Sequence, residues 1–101
     1  MLLVSGWALA EEGRPLSMET VDHVIEQHDR AVQACGRGGK KGMQAVQLML
    51  EIDAAGNVTV AQPVEEPSAE AQCLSKLARR LKFPSTGVTT KLAYPFMLLR
   101  R

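Results

Sequence analysis

The residues of this chain that could do chemistry are few. Cys35 and Cys73 could form a disulfide, ligate a metal, act as redox thiols or lie buried as small apolar side chains. As metal ligands they need partners. His28 lies on the same helical face as Cys35, but His23 falls elsewhere and no C-x-x-C pair exists, so no tetrahedral zinc set is visible. His28 reads better as a residue at the boundary of the core. A redox cysteine needs exposure and a lowered pKa, whereas both cysteines fall on stripes that should be buried. Ser5, Ser17, Ser68, Ser75 and Ser85 carry no G-x-S-x-G signature around them. Glu65 and Glu66 precede Pro67 and read as a solvated turn rather than a working carboxylate pair. The glycine-rich, basic run Gly36–Gly42 follows a helix and precedes a strand, the reverse of the geometry that aims a helix N-terminus at a phosphate. These residues support no catalysis, no metal and no cofactor.

The bulk numbers narrow the partners. Lys and Arg number 12 against 11 Asp and Glu, a formal charge of +1, without the basic excess of a nucleic-acid binder. A chain of 101 residues suits one domain with a modest core. No apolar run approaches the roughly 20 residues of a membrane span. Residues 1–10, Met-Leu-Leu-Val-Ser-Gly-Trp-Ala-Leu-Ala, have the apolar stretch and A-x-A ending of a secretory signal without its basic start; the alternative is an apolar arm on the domain. Export is the favoured reading. Residues 11–17 then serve as a linker and 18–101 as the domain.

Periodicity supplies the elements that must position these groups. Ser17 or Thr20 can cap a helix whose stripe is Val21, Val24, Ile25, His28, Val32 and Cys35, with Asp22, Glu26, Gln27, Asp29, Arg30 and Gln33 facing water. From Met43 to Asp53 the period becomes two: Val46, Leu48, Leu50 and Ile52 alternate with Gln47, Met49 and Glu51. Ala54-Ala55-Gly56-Asn57 turns the chain into a return strand that starts at Val58 and Val60 and ends at Pro63. Ser68 caps a second helix with the stripe Cys73, Leu74, Leu77, Ala78 and Leu81, stopped at Phe83-Pro84. A last strand runs from about Val88 to Leu99.

The order α-β-β-α-β defines an α+β fold. With antiparallel neighbours, the three-stranded sheet has the order 2-1-3 and both helices cover one face. Pro63 and Pro95 then fall on edge strands, where a missing N–H need not break the ladder. An even pair of cysteines, a signal-like start and two helical stripes above one sheet face favour a Cys35–Cys73 disulfide over free thiols. Such a bridge would stabilise the fold by roughly 4 kcal/mol in the chain-entropy model.

Several segments together resemble the TonB-like C-terminal domains, most closely the AgmX/PglI C-terminal type. They are Val24–Cys35, Val46–Val58 with its I-x-x-x-G-x-V hairpin, Cys73–Pro84 ending in F-P, and Tyr94-Pro95-Phe96. The resemblance spans roughly four-fifths of the chain, from about Val21 to Leu99. It departs from the family in lacking a Trp before Phe83-Pro84 and in having neither membrane helix nor Pro-rich spacer. What it implies is a periplasmic module of an envelope assembly, in energy transduction, transport or gliding motility, binding an envelope protein or peptide by strand addition. The docking residues would be Val88, Thr89, Thr90, Lys91, Leu92 and Ala93, ahead of Pro95. Thr90, Leu92, Tyr94, Phe96 and Leu98 should face the helices, and Thr89, Lys91, Ala93 and Met97 should face away. A proline at Thr90 is expected to abolish capture without unfolding the domain. The alternative is a structural subunit or homodimer that uses the same edge.

Overall fold

Helix α1 (Met18–Glu26) starts where the Ser17 hydroxyl accepts a hydrogen bond from Thr20 N–H at 3.1 Å, an N-cap of the expected kind. Val21, Val24 and Ile25 are its buried stripe. The computed structural model describes residues 13–36, 42–65 and 67–100. Residues 1–10, read above as a signal or arm, and most of the Gly36–Gly42 run lie outside them.

The single helix expected through Cys35 is divided. α1 ends at Glu26, and a short helix α2 (Asp29–Ala34) restarts after His28, whose φ of −112° and ψ of 21° leave the helical region. His28 is exposed, not at the core boundary, because the bend swings its position outward while Val32 and Cys35 stay buried. No glycine or proline marks the break. Asp22 also differs from its expected place facing water: it is half-buried and accepts a hydrogen bond from the Tyr94 hydroxyl.

β1 (Gly42–Ile52), β2 (Val58–Pro63) and β3 (Thr90–Arg100) form one antiparallel sheet in the order β2-β1-β3. Helix α3 (Ala69–Ala78) is capped by Ser68, which accepts from Ala71 N–H at 3.0 Å. Val46, Leu48, Leu50 and Ile52 of β1 and Tyr94, Phe96 and Leu98 of β3 form the buried face with Ala71, Leu74 and Ala78 of α3. The alternate residues of β1 and β3 lie on the open face. α3 stops at Ala78, earlier than Phe83-Pro84. Leu81 nonetheless reaches the core from the following loop. Leu16, placed in the expected linker, is also buried, and its N–H donates to Thr90 Oγ1 at 2.8 Å.

β2 carries a bulge. Glu51 opposes Val60 and Ile52 opposes Val58, so Thr59 has no opposite residue. The extra residue shifts the alternation: Val58 and Ala61 are buried while Val60 is half-buried.

The β1–β2 turn closes against the loop before β3. Gly56 has a φ of +95°, and a Cβ there would lie 1.9 Å from the Phe83 carbonyl oxygen, so only glycine fits. Asn57 beside it keeps a negative φ; among the described residues only glycines have a positive one. Phe83 N–H donates to Gly56 O at 2.9 Å, and Thr86 and Gly87 N–H converge on Ala54 O at 3.2 and 3.1 Å. Lys82 Nζ donates to Ala55 O at 2.8 Å and to Asn57 Oδ1 at 2.9 Å. Asp53 accepts from Asn57 N–H at 2.8 Å and Ala55 N–H at 3.0 Å. The Asn57 bond is the main reason its carboxyl is held below the usual aspartate range.

Candidate functional site

Cys35 and Cys73 are joined, with Cα atoms 5.5 Å apart, and the bond ties the end of α2 to α3. Cys35 is buried, but Cys73 is exposed rather than on the buried stripe. The stripe of α3 is Ala71, Leu74 and Ala78, with Leu77 half-buried, so Cys73 looks sideways to α2 instead of down to the sheet. With both sulfurs in the bond, neither is a thiolate for ligation or redox attack. Among the described residues no three His, Cys, Asp or Glu side chains gather to hold a metal.

A hollow of about 720 Å³ lies between α1 and Phe83-Pro84, with Glu19, Thr20, His23, Gln27 and Lys82 on its walls. Its Lys82 ammonium is already held by the β1–β2 turn, and the His23 ring meets only Gln27 at 3.4 Å. Among the described residues no hydroxyl or ammonium on its walls is hydrogen-bonded to His23.

The outer edge of β3 is different. Leu99 N–H donates to the Gln33 side chain, so the odd-numbered residues of β3 aim their backbone groups away from β1. The other side of the sheet agrees: Val64 N–H donates to Gln47 O, which assigns the odd residues of β1 to β2 and the even ones to β3. Leu48 lies opposite Tyr94 and Gln47 opposite Pro95, so Pro95 lacks only an outward donor. Thr90 and Leu92 point their N–H groups inward, whereas Lys91 and Ala93 point theirs outward. Among the described residues nothing pairs with the outward groups of Lys91 and Ala93.

Side chains along this edge divide by parity too. Thr90 is buried and Leu92 half-buried on the helix side; Thr89, Lys91 and Ala93 are exposed, and Val88 is half-buried ahead of the strand. A proline at Thr90 would therefore strike the ladder to Ile52 and the Leu16 bond. A proline at Ala93 would instead remove an outward donor and leave the ladder to β1 whole.

The helix side of the edge carries a groove of about 220 Å³ beside Tyr94 and Pro95, with Glu26 and Asp29 at its walls. Tyr94 packs edge-on against Phe96, with ring centroids 4.9 Å apart. Burial, then the hydrogen bond to Asp22, raise the Tyr94 hydroxyl well above its ordinary pKa, and that hydroxyl donates to the Asp22 carboxylate.

The edge of β2 is blunted. Arg79 Nη2 reaches Ala61 O at 3.4 Å, Pro63 has no N–H to offer, and Asn57 bridges to Lys82. Periodicity locates the edge strands. The Gln33 contact leaves no sequence signal, because it depends on how α2 crosses β3.

Compared with known proteins, the chain matches no family model, no curated protein and no solved structure. No helix among the described residues is long and apolar enough to cross a membrane.

Proposed function

We propose that this chain is a non-catalytic protein-binding module of the periplasm, which captures an extended segment of an envelope partner by adding it to β3. The observation that carries the reading is the pair Lys91 and Ala93, whose outward N–H and C=O groups meet no partner among the described residues while the β2 edge is blunted. An added strand would use those groups and the Pro95 carbonyl. Main-chain bonds give only about 0.5–1.5 kcal/mol each, so side chains must add affinity. Leu92, half-buried, offers an apolar seat, and the groove with Glu26 and Asp29 suits a long side chain with a cationic tip. The disulfide supports an oxidising compartment, since such bonds persist outside the cytosol. A TonB-like role in energy transduction, transport or gliding motility follows from the sequence resemblance.

The test compares immobilised wild-type and Ala93→Pro protein in an envelope extract. Proline at 93 removes an outward donor and leaves the ladder to β1 whole. The expected result is a protein retained by the wild type and lost from the variant, whose thermal unfolding stays within a few degrees. Equal retention overturns the reading.

A second reading is a homodimer through the same edge, for which a register without like-charge opposition exists. An antiparallel register centred on Leu92 sets each Lys91 opposite the other copy's Ala93 and avoids opposing like charges. Light scattering across concentration separates the two.

A further inference from the structure

Gln33 of α2 spans two outward groups of β3 at once. Its Nε2 donates to Met97 O at 2.8 Å, and its Oε1 accepts from Leu99 N–H at 2.8 Å. One residue of a parallel neighbouring strand would offer the same donor and acceptor to residues two apart, so the carboxamide stands in for one residue of a fourth strand. Nε2 also donates to Asp29 Oδ1 at 3.2 Å, which fixes the rotation of the amide. Close approach of α2 is secured at Gly36, where a Cβ would sit 3.2 Å from Leu98 Cβ.

A second observation concerns the place this contact occupies. The open sheet face is most apolar at this end: Met43 and Leu99, opposite one another, are 67% and 50% exposed, and Met97 is 45% exposed. An unpaired edge flanked by such side chains is where another copy of the chain would pair and stack. The backbone groups beside these residues are the ones Gln33 occupies.

We propose that Gln33 is a length stop for strand addition, ending the usable edge of β3 at Pro95. An incoming strand pairs with Lys91 and Ala93 and is turned away from Met97 and Leu99. The occupant it excludes is a second copy of this chain, whose β3 would otherwise pair with Met97 and Leu99 and cover the Met43–Leu99 patch. The proposal rests on the reading of β3 as a docking edge, but its test needs no native partner.

The experiment is sedimentation velocity across concentration, with amide exchange read by NMR, on the full chain as wild type, Gln33→Ala and Gln33→Met. Methionine keeps the length and helix propensity of glutamine, so it serves if alanine loosens α2. Both variants are expected to lose at least tenfold protection at the Leu99 amide and to self-associate at a concentration at least tenfold below any wild-type association. Adding Met97→Pro, which removes an outward N–H and leaves the ladder intact, should restore wild-type behaviour. Association unchanged from wild type, or association that Met97→Pro leaves untouched, overturns the stop. If the stop fails while Ala93→Pro still loses the envelope partner, the docking reading stands. If Gln33→Ala associates while Ala93→Pro keeps its partner, the docking reading falls alone.

Discussion

At the Ala54–Asn57 corner, the turn carbonyls receive N–H groups from Phe83, Thr86 and Gly87, and side chains of Asp53, Lys82 and Ser85 close the remaining gaps. Along β3, Lys91 and Ala93 hold the same kinds of group toward the outside with nothing paired to them among the described residues. Both regions flank one sheet, and Ile52–Thr90 pairing joins them directly. The fold concentrates its contacts at the corner. The corner holds the long-range closure between the hairpin and the loop before β3, so it is saturated. The edge contributes nothing to closure, so it is left open as far as Pro95 and covered by Gln33 beyond it.

The strongest challenge to this contrast is removal of the disulfide. The Cys35→Ala/Cys73→Ala pair should cost about 4 kcal/mol, from the loop-closure entropy of a 38-residue separation, measured by urea denaturation. Because the bond holds α2, and α2 carries Gln33, the Leu99 amide should lose protection long before that of Gly56. Equal loss at both would show that corner and edge are one unit.

Next in size is Gly56→Ala. Contact with the Phe83 carbonyl and the positive φ together should cost about 3 kcal/mol, read from the same unfolding curves. The amide signals of Lys91 and Ala93 should stay in place.

The smallest expected effect is a pH dependence at the corner. The depressed pKa of Asp53 means that its contribution is present above the ordinary aspartate pKa of about 4 and is lost as pH falls through the folded-state value. Asp53→Asn should therefore flatten the acid limb of stability below about pH 4, seen as a shallower fall in urea midpoint from pH 6 to pH 2. An identical acid limb in the variant would remove Asp53 from the account of the corner.

Much of the frame is legible in the sequence. The alternation from Val46 to Ile52, the caps at Ser17 and Ser68, and the two prolines lead to the order β2-β1-β3, since each is a local rule acting on local residues. The exceptions need tertiary contact. Nothing in Gln27-His28 forbids a continuous helix, and the break follows from the path α2 takes to reach β3 and Cys73. Thr59 is an ordinary strand residue, so its bulge leaves no mark. Cys73 fits a helical stripe by spacing, yet the stripe α3 buries is Ala71, Leu74 and Ala78, which leaves Cys73 at the side where it meets Cys35. β3 is legible as an edge strand, but which of its backbone groups point outward requires the parity of the hydrogen bonds. That parity moves the informative proline from Thr90 to Ala93.

Parity along β3 also bears on how the domain can change over generations. Even positions, Thr90 to Leu98, hold the core and the ladder, and they tolerate little. Odd positions from Lys91 to Leu99 place their side chains on the open face and their backbone groups away from β1, but Pro95 has no N–H and Gln33 holds Met97 O and Leu99 N–H. On the proposed docking, the residues that hold the ladder and those that would offer main-chain groups to a partner are interleaved along one strand. If β3 does take up a partner strand, substitutions at the exposed odd positions could alter what binds while the buried even positions keep the fold unchanged.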